Sequence, residues 1–321
     1  MTARGALRLL GGAAVVLWGA FTVSFAILYL LPSDPVSIML SQSAESLDPA
    51  QVQALRERHG LDRPLPEQYL TQLGNALTGD LGTSVTTGAP VTDLLAEALP
   101  HTAALAGLAL LLAVLAGTGI AVLASWTRAR WLRAALLALP PVGVAVPGFW
   151  VGLVLLQLFS FTWYVFPAVG QDGFASLVLP AVTLAVPLSA TIAQVLARGL
   201  DEAWRAPYAD TAFGAGASRN RVLGAHVLRN GSLPTVTLIG VLTGNLLGGT
   251  VVVETVFSRQ GLGRLAEQAV TTQDIPVVQG LVLTGALVFV VAGLLADLAH
   301  PLLDPRLRGR RAAPAPRAVP A

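Results

Sequence analysis

Long apolar runs alternate with polar segments along this chain. Each of the six runs reaches the length that a helix needs to cross a membrane, roughly 20 residues at 1.5 Å per residue for about 30 Å of hydrocarbon. None of them alternates apolar and polar residues as a strand of a membrane barrel does. The pattern therefore predicts an all-α integral membrane protein with six transmembrane helices. The runs are approximately Leu9–Leu31, His101–Ser125, Ala134–Phe159, Leu177–Ala197, Leu233–Val253 and Pro276–Ala299.

A long polar insertion, residues 32–98, follows the first run and contains nine acids and three arginines. Its capping signals predict short helices rather than a disordered linker. Asp48 and Pro49 are suited to the N-cap and first position of a helix, Gln51 can complete a capping box, and Gly60 ends the helix.

The sequence of the rest of the insertion predicts two more helices, a second and a third. The third covers Val91–Leu99 and is expected to end before Pro100, where the second membrane helix begins. The insertion either caps the outer mouth of the membrane domain or docks an external partner, and the sequence leaves both interpretations open. The second helix opens at Pro66 and places five side chains on one face: Tyr69, Leu70, Leu73, Ala76 and Leu77.

Prolines and glycines within the runs bear on helix packing. Prolines predict kinks because they free backbone carbonyls, and the third run carries Pro140, Pro141 and Pro147. Glycines every four residues cover about 80° of a helix surface and let two helix backbones touch in lipid. This face packs either within the chain or on a second membrane subunit. The glycines belong to the fifth run and are Gly240, Gly244 and Gly248.

The charge distribution predicts the orientation in the membrane. Only 12% of the 321 residues are charged, against about a quarter in soluble domains. All twenty basic residues are Arg, and fifteen lie at the termini or in the second and fourth inter-helix segments. The positive-inside rule therefore predicts that both termini are cytoplasmic. The net charge of +2 and the pI near 9.5 reflect this orientation and imply no nucleic-acid partner.

The residue types that are missing exclude several kinds of chemistry. The chain has no Cys, so disulfides, thiol catalysis and Cys metal sites are excluded. It has no Lys, so it carries no P-loop ATPase of its own. The four histidines are scattered, without an HExxH or a GxSxG motif. We therefore expect a protein that is not an enzyme and has no catalytic residue, metal site or cofactor of its own.

Two acids lie at the edge of or within the runs. Glu254 directly follows the fifth run, and it is a candidate for a polar translocation path or a gate, or for a side chain that reaches water. Asp297 lies in the last run and can pair with an arginine such as Arg306. A structural role is the alternative for both.

The segment between Ala197 and Leu233 is too polar to cross a membrane and too long for a plain turn. Two pieces are predicted to be helical, Asp201–Thr211 and Ser218–Arg229, with Ser218 as an N-cap. The small residues Gly214, Ala215 and Gly216 lie between them and let another protein approach the backbone. The segment is therefore predicted to dock a partner, with an inert loop as the alternative.

The same segment carries a resemblance to a known family. Asp210, Thr211 and Ala212, followed four residues later by Gly216, resemble the EAA loop of ABC-importer permeases, and the wider sequence is similar to the dipeptide, oligopeptide and nickel branch. This chain departs from the family's pattern at three places. Asp210 and Thr211 replace the acid and first alanine of the loop, and Ala215 replaces the usual basic residue. The Arg that the family often has near Gln194 is missing. The matching segments are Tyr208–Ala212, Gly216–Ser218, His226–Asn230 with Pro234, Val251–Phe257, Gly261–Leu265, Pro276–Gly280, Leu303–Arg306, and in the first half Leu30–Pro35, His59–Leu65, Gly79–Gly82 and Leu99–Thr102.

The resemblance implies a type I ABC importer permease fold with an external insertion after the first helix, in the plasma (cell inner) membrane. It implies two ATPase subunits that bind ATP and Mg, a second and paralogous permease, and an external substrate-binding protein. The substrate class it implies is di- or oligopeptides, with nickel or a chelated metal as the alternative. An ATPase-independent secondary transporter or channel is a further alternative. The implied ATPase-coupling residues are Tyr208, Ala209, Asp210, Thr211, Ala212, Gly214, Gly216, Ala217, Ser218 and Arg221.

The resemblance and the apolar runs together predict four parts of the chain. Residues 1–31 form the cytoplasmic N-terminus and first membrane helix, and residues 32–98 the external helical insertion. Residues 99–305 form a five-helix permease core that contains the coupling loop, at about 198–232. Residues 306–321 form a cytoplasmic tail rich in Arg and Pro.

Overall fold

The structure, a computed structural model, describes residues 3–30, 63–171 and 173–303, and the named secondary-structure elements in these residues are all helices. Two segments are π-helical, Leu156–Thr162 directly after α5 and Leu223–Val227 between α8 and α9. In chain order the α-helices are α1 (Ala3–Leu30), α2 (Leu65–Thr78), α3 (Val91–Trp126), α4 (Arg130–Ala145), α5 (Gly148–Leu155), α6 (Ala175–Trp204), α7 (Pro207–Gly214), α8 (Arg219–Val222), α9 (Leu228–Gly231), α10 (Leu233–Val256), α11 (Leu262–Thr271) and α12 (Ile275–Leu303).

Five of these helices are long and apolar enough to cross a membrane, counting only the described residues. They are α1, α3, α6, α10 and α12, and they coincide with five of the six predicted runs. The sixth candidate is the pair formed by α4 and α5 with its π-helical extension, which is bent by 101°. The described residues therefore contain five candidate spans, or six if the bent pair counts as one.

The third predicted run, Ala134–Phe159, is therefore interrupted by a bend, as its prolines predict. The break falls at Val146, whose backbone is extended (φ −79°, ψ 126°). A proline disfavours the helical conformation in the residue before it and cannot donate a helix hydrogen bond, so Pro147 ends α4. Pro140 and Pro141 remain inside the helix.

The expected helix end before Pro100 is wrong. The third helix of the insertion and the second membrane span form one 36-residue helix, α3, with Pro100 inside it. Proline removes a single backbone hydrogen bond, and packing can offset that loss. The residues before the proline are packed in this way: Val91, Leu95 and Ala98 are buried against side chains of α11 and α12.

Helix α2 confirms the second predicted helix of the insertion. Its Tyr69 packs against Phe21 and Phe25 of α1, with ring centroids 5.6 and 5.3 Å apart. The Tyr69 hydroxyl also shares a 2.9 Å hydrogen bond with Thr22. The predicted apolar face is only partly used, because Leu77 is 82% exposed. The predicted helix at Asp48–Gly60 lies outside the described residues.

The chain divides into two compact units, each with its own core. Unit 1 contains Met1–Leu108, Phe149–Thr183 and Leu246–Val290. Its core is the cluster of Val91, Leu95 and Ala98 with α11 and α12. Unit 2 contains Ala109–Gly148, Leu184–Asn245 and Val291–Ala321. Its core consists of two clusters, one at the ends of α3 and α6 with the segment α7–α9, and one where α3, α6 and α10 meet.

Candidate functional site

The polar segment between α6 and α10 is ordered as α7, a tight turn, α8, the π-helical turn and α9. Ala206 is extended (φ −77°, ψ 143°) and Pro207 takes the first helical position of α7, which suits a residue without a backbone N–H. The predicted helix Asp201–Thr211 is therefore two helices, because Pro207 ends α6 at Trp204. Ser218 occupies the predicted N-cap position of α8, but its side chain makes no capping hydrogen bond.

A glycine makes the turn between α7 and α8. Gly216 has φ +82°, a conformation that other residues rarely adopt. The amide of Gly216 donates to Phe213 O at 2.9 Å, and that of Ala217 to Ala212 O at 3.0 Å. These bonds satisfy the last carbonyls of α7, so that the turn is a defined structure and not a loose loop.

One face of the segment is buried in unit 2. Ala209 of α7 and Val222 of α8 are fully buried, and so is Val227 of the π-helical turn. They pack in one cluster with Leu196 and Leu200 of α6. Ala209, a predicted coupling residue, is therefore an anchor of the segment and not a contact surface.

An aromatic side chain tethers the segment to two membrane helices. Trp204, the last residue of α6, stacks on Phe213 with ring centroids 6.1 Å apart and planes at 12°. The Trp204 ring also contacts Arg219, whose guanidinium carbon lies 5.4 Å from the ring centroid in a cation–π arrangement. Its indole N–H donates to Ser125 Oγ at 2.6 Å, which links α6 to the end of α3.

The end of α3 makes two further bonds to α8. Arg219 Nη2 donates to the Ser125 carbonyl at 3.2 Å, and Trp126 Nε1 donates to Asn220 Oδ1 at 2.9 Å. Ser125, Trp126, Trp204 and Asn220 were not identified as site residues from the sequence. The available signal was the position of the two tryptophans at the polar ends of apolar runs.

The opposite face of the segment is exposed and mixes apolar with polar groups. Tyr208 is 37% and Phe213 43% exposed. Ala212 and Ala217 are half-buried. A surface with aromatic, small and charged groups on a rigid support is suited to docking a protein. The other exposed residues from the predicted coupling set are Asp210, Thr211, Gly214, Gly216, Ser218 and Arg221.

The exit of the segment lies directly on α6. Gly199 of α6 and Gly231 of α9 meet backbone to backbone: a β-carbon added to Gly231 would lie 2.7 Å from the Gly199 carbonyl oxygen. A β-carbon added to Gly199 would overlap the Gly231 carbonyl. The position of α9 on α6 therefore depends on both glycines.

An ion pair joins α4 and α6 within unit 2. Arg133 Nη2 lies 2.7 and 2.9 Å from the two carboxylate oxygens of Asp201. Both side chains are more than one third exposed, so the pair contributes little to stability. It occurs at the polar boundary where the sequence predicts the cytoplasmic side.

The glycine face of α10 points away from the buried side of that helix. The buried side carries Leu242, Leu246 and Thr250. Gly240 precedes Leu242 by two residues, which is about 200° around a helix. Gly248 is exposed, with no atom within 4 Å of an added β-carbon, and Gly240 and Gly244 are half-buried. The exposed end of this face leaves room for a partner outside the described chain.

Glu254 lies inside unit 1 and does not reach water. It is 1% exposed, and Thr102 of α3 donates to its Oε1 at 2.7 Å. Its Oε2 accepts the backbone N–H of Gly263 at 2.8 Å and that of Arg264 at 3.3 Å. The carboxylate thus caps the N-terminus of α11, where an anion is favourable. A β-carbon on Gly261 would overlap this carboxylate.

Two further buried charges in unit 1 were not identified from the sequence. Asp274 is 2% exposed and accepts the hydroxyl protons of Ser84 and Thr86 at 2.5 Å each and the backbone N–H of Val85 at 3.2 Å. Arg259 donates through Nη1 to the Ser176 carbonyl at 3.1 Å. Burial lowers the pKa of the Arg259 guanidinium, and the nearby Glu254 charge opposes that shift. These bonds connect the loops of unit 1 to the ends of α6 and α12.

Two protein families match this chain in sequence. Residues 109–309 match "Binding-protein-dependent transport system inner membrane component", and residues 3–106 match the N-terminal region "Binding-prot-dependent transport system membrane comp, N-term". Together these matches cover both units of the described fold.

Curated relatives and a solved structure agree with this match. The chain is 35% identical over 292 residues to the probable peptide ABC transporter permease protein y4tP of Sinorhizobium fredii, covering 88% of this chain and 92% of that protein. It is 35% identical over 284 residues to the glutathione transport system permease protein GsiC of Pectobacterium atrosepticum, with the same coverage. A chain of the inward-facing MetNI methionine ABC transporter has a TM-score of 0.56 at 17% identity, over 66% of this chain and 96% of that one. That likeness concerns the fold alone.

Proposed function

Because this chain belongs to the family of binding-protein-dependent transport system inner membrane components, we propose that it is the membrane-spanning permease subunit of an ATP-driven importer of di- and oligopeptides. The observation that carries this proposal is the ordered segment α7–α9. It buries one face on the ends of the membrane helices and exposes the other to a partner. A transport subunit of this kind hydrolyses nothing itself.

The relatives favour peptides as the substrate class. One is named as a peptide permease and another as a glutathione permease, and glutathione is itself a tripeptide. Nickel, the alternative that the sequence leaves open, is not favoured by these names.

The exposed face of α7 and its turn would seat in a groove on an ATPase subunit. When the ATPases bind ATP and Mg and close, they would move α7. The buried anchor of Ala209 and the Trp204 tether would pass that movement to α3 and α6. Coupling of this kind requires an element whose position both sites can bias. The segment meets that requirement because it contacts two membrane helices and leaves a free surface.

The orientation follows from the arginines. Segment α7–α9 carries Arg219, Arg221 and Arg229, and α4 begins with Arg130. The positive-inside rule places these groups in the cytoplasm, with both termini on the same side if the bent pair is one span. The protein is then a multi-pass protein of the plasma (cell inner) membrane. Its ATPases dock on the cytoplasmic side, as the coupling role requires.

The complete importer would contain two ATPase subunits, a second and paralogous permease, and an external substrate-binding protein. The exposed end of the α10 glycine face supports a contact with the second permease, because small residues let helices approach closely in lipid. Glu254 can serve as a gate only when α11 separates from α10, since its carboxylate is enclosed here.

The test is gentle affinity purification of the tagged chain from its native membrane, followed by mass spectrometry. Membranes with the untagged chain are the control. We expect P-loop ATPases, a second permease and an external binding protein, and the ligand of that binding protein names the substrate. Recovery of the chain alone, stable and without an ATPase, would contradict the proposal and favour a self-sufficient secondary transporter or channel.

A further inference from the structure

Two arginines at the connection from α3 to α4 have no partner in the described part of the chain. Arg128 and Arg130 are exposed, and neither guanidinium makes an ion pair or a hydrogen bond with a described residue. Arg133, one turn further along α4, is already paired with Asp201. The connection therefore presents two free positive charges at the polar boundary of a candidate membrane span.

The neighbouring helix α6 does not neutralise these charges. Its last turns, residues 198–205, carry two acids and two arginines, which balance each other. The acids are Asp201, which Arg133 holds, and Glu202. The three arginines of residues 128–133 therefore remain in excess, and the ligand that complements them is an anion.

An apolar stripe runs along α4 from the same point. Trp131 is 74% exposed, and Ala135, Ala138 and Val142 follow it on one face of the helix and are also exposed. The stripe is about 16 Å long, which is half of a hydrocarbon core of about 30 Å. Its length therefore matches that of one leaflet of the membrane.

The opposite side of α4 packs on α6, within unit 2. Pro140 is buried and lies nine residues after Trp131, which is about 180° around the helix. A β-carbon added to Gly143 would lie 2.9 Å from the β-carbon of Ala190 in α6. This packing fixes the rotation of α4, so that the stripe faces away from α6.

The pairing of free arginines with an apolar stripe fits an amphiphile. A soluble anion or an acidic protein surface would match the arginines and leave the stripe bare. An apolar helix would cover the stripe and leave the arginines without a counter-charge. An anionic phospholipid matches both, because its phosphate lies at the membrane surface directly above its acyl chains.

We propose that residues 128–142 bind an anionic phospholipid, with Arg128 and Arg130 on its phosphate and an acyl chain along the stripe. Guanidinium groups form short, charge-assisted hydrogen bonds with phosphate oxygens. Trp131 lies at the boundary between the head group and the chains, the depth that indole rings favour. The bound lipid holds this end of α4 at the membrane surface. The inference does not depend on which substrate the protein transports.

The test measures how closely lipid tails approach Trp131. The tagged chain is purified from its native membrane in mild detergent, together with the subunits that accompany it. It is mixed with micelles that contain phosphatidylglycerol or phosphatidylcholine, each with brominated acyl chains, which quench tryptophan fluorescence on contact. The difference between the unmodified chain and Trp131→Phe isolates the signal of Trp131 from that of the other tryptophans.

We expect phosphatidylglycerol to quench Trp131 at an about tenfold lower mole fraction than phosphatidylcholine. Joint Arg128→Gln and Arg130→Gln should bring the two lipids to within about twofold of each other. Joint Arg128→Lys and Arg130→Lys should keep most of the preference, because the charge remains. Arg63→Gln is the control and should keep the full preference, since Arg63 is an exposed arginine of unit 1, just before α2. Equal recovery of the accompanying subunits shows that each variant is folded.

Three results would overturn the inference. Equal quenching of the unmodified chain by both lipids would show contact with lipid without recognition of the head group. No quenching of Trp131 by either lipid would show that another protein covers the stripe. A preference for phosphatidylglycerol that persists in the joint Gln variant would assign the anion to other groups. None of these results bears on the proposed import of peptides.

Discussion

Gly199 at the end of α6 and Gly231 in α9 hold two helix backbones in direct contact. A β-carbon on either residue would lie within 3 Å of the other's carbonyl oxygen. This contact joins the last turns of α6, a candidate membrane span, to α9 at the end of segment α7–α9. Movement of α9 relative to α6 is therefore limited by the backbones themselves and not by adaptable side chains.

We expect Gly199→Ala to destabilise the protein, because the added methyl group must push α9 away from α6. Overpacking of a close contact costs about 1–3 kcal/mol. Thermal unfolding of the detergent-solubilised protein measures the effect, and Gly214→Ala is the matched control, since nothing would lie within 4 Å of its β-carbon. Equal melting temperatures for the two variants would show that α9 moves away at no cost.

Gly216→Trp should separate the ATPases from the permease while the membrane fold remains intact. A β-carbon added at Gly216 has no atom of this chain within 4 Å, and the indole beyond it would occupy the surface proposed for the partner. The positive φ of Gly216 imposes a strain of about 1 kcal/mol on any other residue. Gly216→Ala carries the same strain without the bulk and is the control. Co-purification of the ATPases is the measurement, and normal ATPase binding and transport by the Trp variant would contradict the docking role.

Trp204→Leu should loosen segment α7–α9 from the ends of α3 and α6. It removes the stack on Phe213, the contact with Arg219 and the bond to Ser125. Trypsin cleaves after arginine, and we expect cleavage at Arg219 and Arg221 in solubilised protein to become several-fold faster. Trp131→Leu is the control because Trp131 is 74% exposed. If both variants are cleaved at the rate of the unmodified chain, the tether is not what orders the segment.

Glu254→Gln should weaken the cap that this side chain of α10 forms on the N-terminus of α11. Glu254 Oε2 accepts both backbone N–H groups and Oε1 accepts the Thr102 hydroxyl, whereas an amide has only one acceptor oxygen. One side therefore loses its bond, and we expect a loss of about 1–3 kcal/mol. Thermal unfolding again measures the change. Glu267→Gln, at an exposed position of α11, should unfold like the unmodified chain. A stable Glu254→Gln variant with altered transport would instead favour a gating role.

Asp274→Asn should release the loop that its carboxylate holds. The bonds to Ser84, Val85 and Thr86 require an acceptor on both oxygens. Hydrogen exchange at the amides of Val85 and Thr86 should become about tenfold faster or more. Asp93→Asn, at an exposed position in the first turn of α3, is the control. Unchanged protection of both amides would show that the backbone of the loop holds itself.

The spans and the docking segment could be predicted from the sequence because both depend on local properties. A run of about 20 apolar residues is a span wherever it lies, and a polar segment between two such runs must meet water. The resemblance at Asp210–Gly216 then led to the coupling role proposed for the segment, which stays a prediction. Local rules were insufficient for the prolines: Pro147 ends a helix and Pro100 does not. The difference lies in the packing around each residue, which no local rule contains.

The sequence by itself determined which segments enter the membrane, which face water, and to which family the motifs belong. Each of these properties follows from residues that are neighbours in the chain, such as the length of an apolar run or the number of arginines in a segment. Only the tertiary structure decided that Ala209 is an anchor, that Trp204 is a tether, and that Glu254 turns inward. Each of those outcomes depends on the rotation of one helix against another. That rotation is set by the packing of side chains far apart in the chain, and a residue's own neighbours carry no record of it.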